Sequence, residues 1–243
     1  FVKICRYAWR LQRVAPSAKL RFEPRCDIGI SRRQIARDIF LAEYNQTPLH
    51  ISSVSTAKSV DLIRQAKKKG LKISADVTPH HLALDETLLT DFDSNYKVKP
   101  PLRAKSDIKA LTKGLQDGTI DVIASDHCPE DEENKKVEFD YAAFGIIGLE
   151  TAYAAMNTAL SGALSIEQIV EKISLNPRKI LKLEIPTINE GSNANLTLFN
   201  PSLKWTFTEN HIRSKSKNTP FNGKTFTGKA LAIYNKGQFS ECA

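Results

Sequence analysis

The chain has 243 residues, of which 41% are hydrophobic and 26% charged, enough to bury a large core as one domain or as one domain with a small appendage. No apolar run approaches the ~20 residues needed to cross a bilayer, and Cys5, Cys26, Cys128 and Cys242 lack metal-site spacing and disulfide density, so the expected setting is a reducing cytoplasm. The net charge of +8 is concentrated in residues 1–33, where nine Lys or Arg stand against Glu23 and Asp27, and the balanced remainder offers no basic stripe for nucleic acid.

In chain order, residues 1–34 read as a basic leading segment set apart from the fold. Ile35, Ile39 and Ala42 recur at helical spacing over 35–44, and Leu49–Val54 is a short apolar run that reads as a strand. In KSVDLIRQAKKKG, Val60, Ile63 and Ala66 form one helical face opposite the lysines, and Gly70 sits where a helix would stop. LKISADV, residues 71–77, predicts a second strand. A long connection carries TPHHLALDETLL and NYKVKPPLRAK. Ser106 is then placed to cap a helix whose buried stripe is Ile108, Leu111 and Leu115, and that helix delivers the chain into a third strand, IDVIAS, at 120–125.

Helices alternating with strands that read as apolar on both faces predict a parallel sheet covered by helices. Ligands of such folds sit beyond the carboxyl ends of the strands, which here end on Ser52 and Ser53, on Thr78–His81 and on Asp126–Glu130. The run EDEENKKVEF reads as a solvated loop. Residues 146–182 are helical in pattern, with SIEQ at 165–168 as a capping box and LNPRKILKL as a further short helix. From residue 186 onward, alternating and β-branched runs separated by Asn, Pro and Gly predict a small β subdomain, with SKSKNTPFNG as a loop. The organisation is thus a leading segment 1–34, an α/β unit 35–185 and a β unit 186–243.

LHISSVSTAKSV, DVTPHHLALDETLL, NYKVKPPLR, LQDGTIDVIASDHCP, AFGIIGLETA, NPRKIL and NTPFNGKTFTGKALAIYNKG follow one another across residues 35–237. In that order they resemble successive landmarks of the dihydroorotase family of the amidohydrolase superfamily. The resemblance implies a metal-centred (β/α)8 barrel with a small β subdomain, of which this sequence would supply barrel strands six, seven and eight. Three strands cannot close a barrel, so a partial one is expected. It also implies Zn2+ as cofactor and dihydroorotate or N-carbamoyl-aspartate as substrate.

Position by position, the resemblance makes Asp126 both the metal-binding carboxylate and the catalytic base. It makes Phe144 and Gly145 the loop whose backbone meets the pyrimidine ring, and Tyr96–Arg103 the run that approaches the substrate. Lys99 stands where the family has Asn, Glu130 where it has a substrate-contacting His, and Ser53 where a metal-binding His follows strand six. The strand-one His-x-His, the strand-four Lys or Asp and the strand-five His find no counterpart. His80 and His81 are expected to shape the turn after strand seven, His127 to fix its loop, and Cys128 to pack as a small hydrophobe. If catalysis has lapsed, Asp126 should organise its loop through His127, Ser125 and nearby N–H groups. A hydrolase and a noncatalytic homologue both remain open, the latter as a structural or regulatory partner of aspartate carbamoyltransferase or as a homodimer.

Overall fold

The computed structural model describes residues 32–242, so all but the last residues of the basic leading segment lie outside the described residues. Among the described residues the first helix, α1 (Arg32–Tyr44), leads into β1 (Leu49–Ile51), α2 (Ala57–Lys68), β2 (Ile73–Val77) and a short helix α3 (Pro79–Ala83). Then come α4 (Lys105–Gln116), β3 (Val122–Ile123), the four-residue α5 (Glu132–Lys135) and α6 (Ala152–Ala159). The helices α7 (Ile166–Val170) and α8 (Asn176–Leu181) close the α/β part, and β4 (Asn195–Thr206), β5 (Thr225–Asn235) and β6 (Gln238–Glu241) follow. The fold is α/β: part of a (β/α)8 barrel with a small antiparallel β subdomain. No helix among the described residues is long and apolar enough to cross a membrane.

The three barrel strands pair in parallel in the order β1-β2-β3, with His50 opposite Ser74 and Asp76 opposite Val122. Because side chains alternate along a strand, Leu49, Ile51, Ile73, Ala75 and Val77 face the helices. There they share one core with Val60, Ile63 and Ala66 of α2 and Leu111 and Leu115 of α4. The opposite face corrects the expectation of strands apolar on both sides: it carries His50, Ser74 and Asp76, joined by hydrogen bonds of 2.8 and 2.9 Å. A buried polar strand face is tolerable because its groups satisfy one another.

Several local expectations change. The cap of α4 is Ala104, without a side-chain bond, not Ser106; Asp107 instead accepts from Ala57 N at 2.7 Å and ties the start of α4 to the start of α2. Pairing in β1 and β3 stops short of residues 54 and 125, since the chain turns out of the sheet to build loops at Ser53 (φ 56°) and Asp126 (φ 46°). The helical region 146–182 is interrupted. Its Ser165–Gln168 capping box forms as expected, but the turn Glu171–Leu175 widens into a π-helix just before Pro177, which has no N–H to donate. The acidic run after Asp126 is not wholly solvated, because Lys135 within α5 is 5% exposed.

The β subdomain, ordered β4-β5-β6, is sewn to the barrel part by a second core in which Phe207, Phe221 and Phe226 meet Ala154, Ala155 and Ile146. Asn157 on α6 donates to Pro201 O at 3.0 Å and Thr227 O at 2.8 Å. Gly228 lets it approach, since a Cβ there would lie 2.6 Å from Asn157 Nδ2.

Candidate active site

Asp126 follows β3 at the carboxyl end of the sheet, in a left-handed backbone conformation uncommon for a residue with a side chain. Its side chain keeps 40% of its surface open, and its Oδ2 lies 3.8 Å from His80 Nε2. The crowded setting still pushes its pKa up to about 6, first through burial and then through the neighbouring Asp76 carboxylate. Solvent on the open side tempers the energetic weight of that shift.

His80 is 2% exposed, and its pKa is held well below the ordinary imidazole range by burial and by His81. His81 is equally buried and bonded on both ring nitrogens, to Thr78 Oγ1 at 2.6 Å and to Pro100 O at 2.9 Å. Burial lowers its pKa to about 4. Both histidines therefore shape this strand end as neutral rings.

Behind them lies a polar chain that the sequence reading missed. Asp76, 4% exposed, accepts from Ser53 N at 2.7 Å through Oδ1 and bonds His50 Nε2 at 2.9 Å through Oδ2. His50 Nδ1 in turn meets Ser74 Oγ at 2.8 Å. The strand-six position where a ligand imidazole was expected thus presents a serine whose amide is committed to Asp76. One signal was available: Ser74 and Asp76 alternate with apolar neighbours in ISADV, a period-two pattern with a polar face.

The loop after Asp126 runs beside residues 144–148, with Cys128 N donating to Ile146 O at 2.9 Å. His127 fixes this loop, as expected. Its Nδ1 accepts from Gly148 N at 3.1 Å and Leu149 N at 3.3 Å, which puts the ring proton on Nε2, facing Ser214 Oγ at 3.4 Å. The Ser214 hydroxyl donates to Glu150 Oε1 at 2.7 Å, so Asp126 receives no hydrogen bond from His127. Cys128 is half-buried, not fully buried, and burial with the nearby Asp126 raises its pKa, so it stands as an unreactive thiol.

Lys99, Glu130, Phe144 and Gly145 come together along one wall. Phe144, 36% exposed, lies under two ammonium groups, Lys97 Nζ at 4.6 Å and Lys99 Nζ at 5.2 Å from its ring centroid. Gly145 N donates to Lys97 O at 2.9 Å, and Gly145 takes a φ of 125° that no larger residue adopts readily. Glu130 N donates to Asn218 Oδ1 at 3.3 Å, while Asn218 Nδ2 donates to Cys128 O at 3.0 Å and Gly145 O at 3.1 Å. Asn218 therefore clamps both loops from the β subdomain, a role hidden within the NTPFNG stretch. Lys135 Nζ braces the same wall through Ser94 O, Ala143 O and Gly145 O at 2.6, 3.0 and 3.1 Å.

Zinc is the metal that the dihydroorotase resemblance implies. Among the described residues, no group of three or more His, Cys, Asp or Glu converges to hold a metal ion, whereas catalytic zinc takes three protein ligands as a rule. Asp126 has His80 and the Asp76 carboxylate nearby, and Asp76 is already engaged with His50 and Ser53. The described donors do not fit a catalytic zinc by themselves.

A parallel sheet whose carboxyl end carries Asp126, with a β subdomain clamping its loops, is the architecture of part of a (β/α)8 barrel. Residues 34–239 match the Amidohydrolase family, and the chain belongs to that family. Within it the chain is related to dihydroorotases and hydantoinases. It is 44% identical over 205 residues to the dihydroorotase of Syntrophus aciditrophicus, covering 84% of this chain and 48% of that protein. To the dihydroorotase of Carboxydothermus hydrogenoformans it is 47% identical over 204 residues, covering 82% and 47%. Among solved structures, the L-hydantoinase (dihydropyrimidinase) from Arthrobacter aurescens matches with a TM-score of 0.81 at 27% identity, over 87% of this chain and 49% of that one. The dihydropyrimidinase from Brevibacillus agri matches with a TM-score of 0.79 at 27% identity, over 86% and 48%. The chain spans about half the length of the curated relatives it matches.

Proposed function

We propose that the chain serves a cyclic-amide hydrolase of dihydroorotase type, interconverting dihydroorotate and N-carbamoyl-aspartate, with Asp126 as the proton acceptor. The observation that carries this reading is the placement of Asp126: an open carboxylate at the carboxyl end of the sheet, in a left-handed turn, with the buried His80 3.8 Å away. In ring opening, the oxygen of water bonds to the ring amide carbon and one of its protons passes to Asp126. The carbon–nitrogen bond then breaks, and the departing nitrogen takes that proton. The choice of dihydroorotate over other cyclic amides is supported by the identities of 44% and 47% to dihydroorotases.

A second reading, a noncatalytic homologue that partners aspartate carbamoyltransferase, is favoured by Ser53 at the ligand position and by Glu130, whose charge would repel a substrate carboxylate. The test is an assay of the full chain with added zinc, in both directions, following dihydroorotate and N-carbamoyl-aspartate by chromatography. Asp126-dependent interconversion supports the hydrolase; none in either direction supports the noncatalytic homologue.

A further inference from the structure

His80 Nε2 is buried without a hydrogen-bond partner in a site where the neighbouring polar atoms are engaged. Leaving such a nitrogen unsatisfied is costly. The nearby acid is Asp126, whose Oδ2 at 3.8 Å lies about 0.6 Å beyond hydrogen-bond reach. That carboxylate keeps 40% of its side-chain surface open to solvent, whereas the His80 side chain keeps 2%. His81 lies against it, ring centroids 4.5 Å apart, and is itself locked by Thr78 Oγ1 and Pro100 O. The other carboxylate of the site, Asp76, is occupied by His50 and Ser53.

We propose that His80 is the positioning residue of Asp126: its Nε2–H donates to Oδ2, fixes that oxygen beside the buried imidazole and leaves Oδ1 directed at the open side of the site. A neutral imidazole carries one N–H, and a carboxylate facing Nε2 favours the tautomer with the proton there. The opposite tautomer would set a lone pair against a carboxylate, an arrangement suited only to a cation held between them. This assignment rests on the hydrolase reading only for what Oδ1 does, which is to receive the proton of the attacking water; the hydrogen bond itself is independent of turnover.

The test is ring proton–nitrogen correlation spectroscopy on the full chain with 15N-labelled histidine, comparing the unmodified protein with Asp126→Ala and Asp126→Asn. The expected result is a His80 Nε2–H signal protected from exchange with solvent, with exchange about tenfold faster or more in Asp126→Ala and an intermediate rate in Asp126→Asn, which keeps an acceptor oxygen. An unprotonated Nε2, or exchange unchanged in Asp126→Ala while its other amides keep their native shifts, would overturn the proposal. In a chain that turns over, His80→Asn lowers kcat with little change in KM. Should the chain show no turnover, the hydrolase reading fails while the exchange contrast still decides the role of His80.

Discussion

Replacing Asp76 by alanine removes the acceptor used by Ser53 N at 2.7 Å and by His50 Nε2 at 2.9 Å, at a residue only 4% exposed. Each buried group left without that acceptor costs about 1–3 kcal/mol, so the pair amounts to about 2–6 kcal/mol. Asparagine is a different perturbation. Its amide oxygen keeps the Ser53 N–H, and His50 can move its proton to Nδ1, donating to Ser74 Oγ at 2.8 Å while Nε2 accepts from the new amide. The expected cost of Asp76→Asn is about 1 kcal/mol or less. Urea unfolding of the full chain and both variants reads the difference against a total stability on the order of 5–15 kcal/mol. An alanine variant within about 1 kcal/mol of the parent, or an asparagine variant as damaged as alanine, would refute the view that this carboxylate organises the strand ends.

Three further outcomes are expected. Gly145→Ala places a Cβ 2.6 Å from Cys128 Sγ at a φ of 125° and should cost about 2–5 kcal/mol in thermal or urea unfolding, with partial recovery in the Cys128→Gly, Gly145→Ala double variant; a neutral effect would contradict the close packing of these loops. His81 has a folded pKa of about 4 against an ordinary 6.5, so between those values the unfolded chain binds more protons. Its contribution is complete above about pH 6.5 and is lost as pH falls towards 4, by roughly 3 kcal/mol, partly offset by Asp126, whose raised pKa acts in the opposite sense. Proton resonances of the His81 ring that titrate near pH 6.5 would exclude this. Ser165→Ala removes one half of the α7 capping box and should lower stability by about 0.5–2 kcal/mol, a loss that calorimetry can detect and that Ser165→Asp should largely avoid.

Helices and strands were legible because burial imposes periodicity: Val60, Ile63 and Ala66 do face the core, and the Ser165–Gln168 box does form. Asp126 was legible for a similar reason, since a carboxylate directly after an apolar strand in an alternating fold falls at the ligand-binding end of the sheet. What escaped depended on partners distant in the chain. Asp76 stood unremarked in a strand read as apolar on both faces, because its partners His50 and Ser53 lie 26 and 23 residues away. Lys135 read as solvated because a lone sequence cannot show Ser94 O, Ala143 O and Gly145 O converging on its amine. Asn218 clamps Cys128 from 90 residues away, and no local pattern carries that information. Ser106 was misplaced as a cap because the helix begins two residues earlier than its cap propensity suggests, with Asp107 spent on α2.

The most direct test of the account is the interconversion of dihydroorotate and N-carbamoyl-aspartate by the full chain and its Asp126→Asn variant, with added zinc, alongside their melting temperatures. If Asp126 is the proton acceptor, the variant melts like the parent and loses about 100-fold or more in kcat. Equal rates in the two proteins, or no interconversion by either, would contradict the claim.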